Sequence, residues 1–132
     1  MIAGAAGDDA SQDGRTGRVI LVVDDHDDTR QMYAQFLDAM GYDTLQAASC
    51  EEALRVAGND GINAVVLDRR LPDGDGNTVC RTLKSDPRTC ALPVIVLSGR
   101  EPDGSVPADA YLIKPVTPDR LVEEIERLLT RR

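Results

Sequence analysis

Three short, uninterrupted apolar runs constrain the fold of this chain more than any other feature of its sequence. They lie at Val19–Val23, Ala64–Leu67 and Val94–Leu97. Such runs, without alternating polar residues, are typical of strands that are buried on both faces of a sheet. Burial on both faces requires a layer of helices on each side. We therefore predict a parallel sheet between two helical layers.

The segments between these runs supply the helices and two weaker strands. Tyr42 to Ala47 reads as a strand near an edge of the sheet, and Ala110 to Ile113 as a short fifth strand. Four stretches have helical spacing or helix-start signals: Tyr33–Met40, Ser49–Ala57, Val79–Leu83 and Thr117–Leu129. Strands alternating with helices predict a doubly wound α/β fold with five parallel strands.

One connection breaks this alternation. Between Leu97 and Ala110 the chain contains two prolines, two glycines and a single large apolar residue, Val106. Proline and glycine both disfavour a helix interior, and one apolar residue cannot form a buried face. The fourth helix of the fold is therefore predicted to be absent or reduced, with residues 100–109 irregular or at most one helical turn.

Length and composition define the domain and exclude several classes of function. The chain has 132 residues, which suits one domain. Residues 1–17 are small and polar, so we expect a disordered tail before a folded domain at 18–132. A formal net charge of −8 argues against binding to nucleic acid or to an anionic membrane. No apolar run approaches the ~20 residues of a membrane span, and three cysteines without metal-type pairing predict reduced thiols in the cytoplasm.

Polar residues collect where the predicted strands end. Asp24 and Asp25 follow the first strand, Asp68 follows the run at 64–67, and Ser98 and Lys114 follow the last two strands. Ligands of open α/β sheets bind at the carboxyl ends of the strands, so these side chains are expected at one rim. Three carboxylates there require a counter-charge, which Mg²⁺ and the lysine supply. Such a site suits phosphoryl transfer, with one carboxylate as the nucleophile.

Four motifs in this order resemble the response-regulator receiver domain of two-component signalling. They are Val22–Asp25, Leu67–Gly76, Pro93–Gly99 and Lys114–Pro115. The resemblance extends over residues 18–132, and it implies a flavodoxin-like receiver fold. It also implies a phosphoacceptor domain that catalyses only its own phosphorylation and dephosphorylation and is otherwise not an enzyme.

The resemblance assigns the acceptor and the metal ligands. Asp68 is implied to take the phosphoryl group from a phosphohistidine. Asp25 and Asp68 are implied to bind Mg²⁺ directly, Asp24 through water, and Arg70 through its backbone carbonyl. The implied partners are a histidine kinase or a histidine phosphotransfer protein and a downstream protein target reached by protein–protein contact.

Further roles follow from the same resemblance. Ser98 and Lys114 are implied to bind the phosphoryl group, and Ser98 and Tyr111 to act as the conformational switch. The bond from Lys114 to Pro115 is implied to be cis. Two arginines, Arg70 and Arg100, occupy positions that border the phosphoryl group and set its lifetime in the family.

Three further interpretations concern a degenerate receiver, a phosphatase and the single histidine. The shortened link between Ser98 and Lys114 also fits a degenerate receiver that serves only as a binding module. A phosphatase of the haloacid dehalogenase type is suggested by Asp25–Thr29, which fits a D-x-D-x-T opening, but the sequence after Lys114 lacks the further acidic motif outside its last helix. His26, the single histidine, is expected to be an exposed loop residue.

Overall fold

The computed structural model describes residues 14–130 except 60, 103 and 105. Five strands and four helices make up the domain: β1 (Val19–Val23), α1 (Asp27–Ala39), β2 (Asp43–Ala47), α2 (Cys50–Ala57), β3 (Ile62–Asp68), α3 (Gly76–Ser85), β4 (Val94–Ser98), β5 (Ala110–Ile113) and α4 (Pro118–Thr130). A short antiparallel ribbon, Arg70–Leu71 with Gly74–Asp75, lies between β3 and α3. No helix among these residues is long and apolar enough to cross a membrane.

The five strands form one parallel sheet in the order β2-β1-β3-β4-β5. This order confirms the doubly wound α/β fold. The edge strand β2 is largely exposed, as its weaker apolar pattern predicts, whereas every residue of β4 is buried. Asp68 pairs with Leu97, and Ser98 pairs with Ile113, so the ends of the inner strands reach the same edge of the sheet.

Each face of the sheet has its own apolar core. On one face α1 and α4 pack on alternate strand residues, with Leu37 and Ile125 almost fully buried. On the other face α2 and α3 cover the remaining strand residues, with Ala53 and Val79 at the contact. Continuous apolar strands are required because both faces are covered.

The start of α2 is fixed by side chains from two parts of the chain. Ser49 Oγ accepts from the Glu52 backbone N–H at 3.1 Å, which is the predicted cap. Asp73, in the turn of the ribbon, accepts from the N–H groups of Cys50 and Glu51 at 2.7 and 3.1 Å. These two backbone donors lower the pKa of Asp73. The helix thereby holds the loop that follows Asp68.

The connection between β4 and β5 contains no helix among its described residues, 99–102, 104 and 106–109, which confirms the prediction. Val106 and Ala108 pack against the α2–α3 core instead. The end of the connection is tied to α3, because Lys84 Nζ donates to Asp109 Oδ2 at 2.6 Å and to the Leu92 carbonyl at 2.8 Å. A charged cross-link thus fastens the end of this connection to α3.

The N-terminal segment falls partly outside the described residues. Residues 1–13 of the predicted 1–17 tail lie outside them, as do residues 131 and 132. Arg15, within them, donates to the Tyr42 carbonyl at 2.8 Å and to Asp43 Oδ1 at 2.6 Å. The Thr16 N–H donates to the Gly41 carbonyl at 2.8 Å, so this stretch lies along the domain.

Candidate functional site

The predicted site residues meet in a cleft at the carboxyl edge of the sheet. Asp24 follows β1, Asp68 ends β3, Ser98 ends β4 and Lys114 follows β5. The cleft has a volume of about 610 Å³. Its lining consists of His26, Asp68, Arg69, Arg70, Gly74, Asp75, Ser98, Gly99, Arg100 and Lys114. The convergence follows from the parallel topology, which brings all these strand ends to one edge.

Asp68 and Lys114 form the central ion pair of the cleft. Lys114 Nζ donates to Asp68 Oδ1 at 2.8 Å, and the Arg70 backbone N–H approaches the same oxygen at 3.4 Å. The side chain of Asp68 is 2% exposed and that of Lys114 is 40% exposed. The Lys114 N–H donates to the Ser98 carbonyl at 2.7 Å, and the bond from Lys114 to Pro115 is cis, the form that the resemblance implies.

Two further carboxylates, those of Asp24 and Asp25, lie beside this pair. Asp24, Asp25 and Asp68 each place an oxygen, together with a ring nitrogen of His26, so that all four atoms lie within 4.8 Å of one another. Burial and the nearby Asp68 charge raise the pKa of Asp24, while the N–H of His26 opposes this. Hard oxygen donors crowded in this way fit Mg²⁺, which binds one or two carboxylates and keeps several waters.

The two predicted switch residues lie on neighbouring strands at this edge. Ser98 is buried, and its Oγ accepts from the Arg100 N–H at 3.1 Å. Tyr111 pairs with Val96 and packs its ring against the α2–α3 core. Among the described residues its buried hydroxyl has no hydrogen-bond partner.

Gly76 allows α3 to start directly against the end of β3. A Cβ at this position would lie 2.3 Å from the Asp68 carbonyl oxygen and 2.9 Å from the Arg69 Cα. The Gly76 N–H donates to the Arg69 carbonyl. Backbone this close leaves no room for a side chain, so the absence of one at Gly76 helps to position Asp68.

Three arginines of the described residues line the cleft, two that the sequence analysis named and one that it did not. Arg70 and Arg100 are both exposed and line the cleft, at the positions that the sequence predicts. Arg69, which the sequence analysis did not single out, also lines it, with Nε 3.4 Å from both carboxylate oxygens of Asp75. The negative charge of Asp75 is the main cause that raises the pKa of Arg69.

His26, which the sequence analysis interprets as a loop residue without a role in the site, also lies beside these carboxylates. The prediction of an exposed side chain is confirmed, since it is 75% exposed. Its Nδ1 nevertheless lies 3.3 Å from Asp25 Oδ1 and 3.4 Å from Asp24 Oδ1. The sequence signal for its proximity to the carboxylates is its position directly after Asp24 and Asp25.

A five-stranded parallel sheet with a carboxylate cluster and a lysine at its carboxyl edge defines a class of phosphoryl-binding domains. Residues 20–126 match the family model of the response regulator receiver domain, and the chain belongs to this family. The match covers most of the described residues and all the site residues named above.

Curated relatives are longer than this chain. The chain is 34% identical over 121 residues to the phosphate regulon transcriptional regulatory protein PhoB of Pseudomonas aeruginosa, covering 87% of this chain and 53% of that protein. It is 36% identical over 118 residues to the probable transcriptional regulator ycf27 of Porphyridium aerugineum, covering 85% and 48% respectively. The chain therefore spans about half the length of these relatives.

Solved structures share the fold along nearly their whole length. A putative response regulator from Chloroflexus aurantiacus superposes with a TM-score of 0.80 at 32% identity, covering 88% of this chain and 100% of that one. The receiver domain of the sensor histidine kinase PA1611 from Pseudomonas aeruginosa, with a magnesium ion coordinated in its active-site cleft, gives 0.79 at 25% identity, covering 86% and 98%.

Proposed function

We propose that this receiver domain accepts a phosphoryl group on Asp68 from a histidine kinase or a histidine phosphotransfer protein, in the cytoplasm and with Mg²⁺. The observation that carries the proposal is the 2.8 Å contact of Lys114 Nζ with a buried Asp68 carboxylate, beside two further carboxylates. This is an arrangement of one nucleophile, one fixed cation and a set of oxygen ligands. Phosphoryl transfer depends mainly on such positioning and charge neutralisation.

The chain's own residues account for the steps of the reaction. An Asp68 oxygen forms the new O–P bond as the P–N bond to the donor imidazole breaks, and the imidazole keeps the electron pair. Lys114 then pairs with a phosphoryl oxygen, and the Ser98 hydroxyl binds another. Bound Mg²⁺ would supply charge neutralisation, held by Asp25 and Asp68 directly, by Asp24 through water and by the Arg70 carbonyl.

We further propose that the phosphorylated domain acts by contact with a downstream protein, with Ser98 and Tyr111 as the switch. The pairing of β4, which ends in Ser98, with β5, which carries Tyr111, supports this. A Ser98 hydroxyl drawn to the phosphoryl group pulls on β4 and therefore on its pairing with Tyr111. The net charge of −8 argues against nucleic acid as the direct partner of this domain.

Removal of one metal ligand tests the proposed site. Asp25→Ala should weaken Mg²⁺ binding at least tenfold, comparable with the 10–100-fold that outer-sphere changes typically cost. It should also slow phosphorylation by a small-molecule phosphoryl donor. His26→Ala should change Mg²⁺ binding far less. NMR titration with Mg²⁺ measures both, and equal effects of the two variants would contradict the metal assignment.

The two cleft arginines are expected to lengthen the lifetime of the phosphoryl group. Both lie on exposed loops, so we expect shielding from water rather than well-placed transition-state contacts. Arg70→Ala combined with Arg100→Ala should speed spontaneous dephosphorylation about threefold, far below the ~10³-fold effect of an arginine that contacts the transferring oxygens. The decay of purified phosphoprotein at fixed Mg²⁺ measures this.

A matched control removes two exposed arginines away from the cleft, Arg55→Ala with Arg88→Ala, and should leave the decay unchanged. Slower decay in the cleft variant would show that Arg70 and Arg100 promote hydrolysis, and the shielding argument would be wrong.

A further inference from the structure

The imidazole of His26 lies beside the carboxylates of the proposed metal site. Its Nδ1 is 3.3 Å from Asp25 Oδ1 and 3.4 Å from Asp24 Oδ1, close enough for an ion pair and also for neighbouring ligands of one cation. Including Asp68, one donor atom from each of the four residues falls within 4.8 Å of the others. The side chain lines the cleft and is open to solvent.

The backbone holds His26 in this place. Its N–H donates to Asp24 Oδ1 at 2.8 Å, and its carbonyl accepts from the Arg30 N–H at 2.9 Å at the start of α1. The imidazole makes no capping hydrogen bond to the helix. The backbone of His26 is therefore fixed beside Asp24, and Nδ1 of its exposed ring faces the carboxylates instead of the helix.

The chemistry of this donor set differs from that of carboxylates alone. Mg²⁺ takes oxygen ligands and keeps its waters, so an imidazole adds little to its binding. Zn²⁺, Co²⁺, Ni²⁺ and Cu²⁺ bind imidazole more readily than Mg²⁺ does, and a carboxylate can complete their ligand sets. A fourth donor of this kind changes the relative affinity of the site for the two groups of metals.

We infer that His26 Nδ1 is a ligand of the acidic site and shifts its preference from Mg²⁺ towards divalent transition metals. The inference rests on the proposed metal site of Asp25 and Asp68 and adds a selectivity-determining residue to it.

Affinities for Co²⁺ and Mg²⁺, measured on the tag-free full chain, test this inference. His26→Ala should weaken Co²⁺ binding about tenfold, within the range typical of changes around metal ligands. Mg²⁺ binding should change less than about threefold, because water replaces the imidazole. His26→Asn, which keeps a polar side chain at the helix start, should behave like His26→Ala. Asp28→Asn, an exposed acidic neighbour outside the cluster, should alter neither affinity.

The spectroscopic readout is specific because the chain has one histidine. Bound Co²⁺ should give a paramagnetically shifted imidazole N–H resonance in the wild-type chain and none in His26→Ala. Absorption from cobalt–thiolate charge transfer would instead reveal binding at a free cysteine such as the exposed Cys90 and would contradict the assignment.

The outcomes separate this inference from the proposed function. If Asp25→Ala weakens both metals but His26→Ala weakens neither, or weakens both equally, the role of His26 is refuted and the proposed Mg²⁺ site stands. If Asp25→Ala leaves Mg²⁺ binding unchanged, the proposed site itself is refuted.

Discussion

Replacing Asp68 by asparagine should abolish phosphorylation of this chain while leaving its fold intact. The amide cannot act as the nucleophile, yet it keeps the shape of the carboxylate and an oxygen that can accept from Lys114. The substitution also removes one of three carboxylates that repel each other. The Lys114 side chain is 40% exposed, so its charge stays in contact with solvent.

Intact-protein mass spectrometry after incubation with Mg²⁺ and a small-molecule phosphoryl donor measures the loss. Asp75→Asn is a suitable control, because this carboxylate lines the same cleft but pairs with Arg69. It caps α3 through the Asn77 N–H, a role that asparagine also fills well. The control should still be phosphorylated. An alkali-labile phosphoryl group on Asp68→Asn at the wild-type level would exclude Asp68 as the acceptor.

Replacing Lys84 by methionine should lower the free energy of unfolding by about 2 kcal/mol, less than the 3–5 kcal/mol typical when one partner of a fully buried pair is removed. The ammonium group offsets the charge of Asp109 and donates to the Leu92 carbonyl, and both partners of the ion pair are mostly buried. Methionine fills similar space without these contacts. The lost contacts are those that fasten the connection between β4 and β5, which has no helix among its described residues to hold it.

Urea unfolding followed by circular dichroism checks this expectation. Arg88→Met removes an exposed ion pair with Asp86 and should leave the unfolding midpoint unchanged. Equal midpoints for Lys84→Met and the wild-type chain would mean that this connection is secured without the ion pair, by contacts such as the Val94 N–H to Asp109 Oδ2 bond and the packing of Val106 and Ala108.

The parts of the fold that repeat a simple pattern were predictable from sequence. Apolar runs located β1, β3 and β4, because a strand covered on both faces has no polar position. The convergence of Asp68, Ser98 and Lys114 followed in turn, since parallel strands end at one edge. The missing helix was evident from prolines and glycines, which act locally on the backbone.

Contacts between side chains distant in sequence were not predictable in this way. The ion pair of Lys84 with Asp109 joins α3 to the connection before β5, 25 residues further along the chain. Neither residue belongs to a motif. The approach of His26 to Asp24 is local in sequence, but it depends on a hydrogen bond from the His26 N–H to the Asp24 carboxylate. Such contacts depend on rotamers and on tertiary distances, which residue spacing does not encode.

The open connection after β4 has a practical consequence for protein engineering. Glu101 and Pro102 are exposed, and no helix there would be interrupted. Lengthening a flexible loop is inexpensive, about 0.6 kcal/mol for each doubling of its length. A circularly permuted fluorescent protein inserted after Glu101 would be attached three residues from Ser98, the proposed hydroxyl ligand of the phosphoryl group. This domain is therefore a good scaffold for a genetically encoded biosensor of two-component signalling.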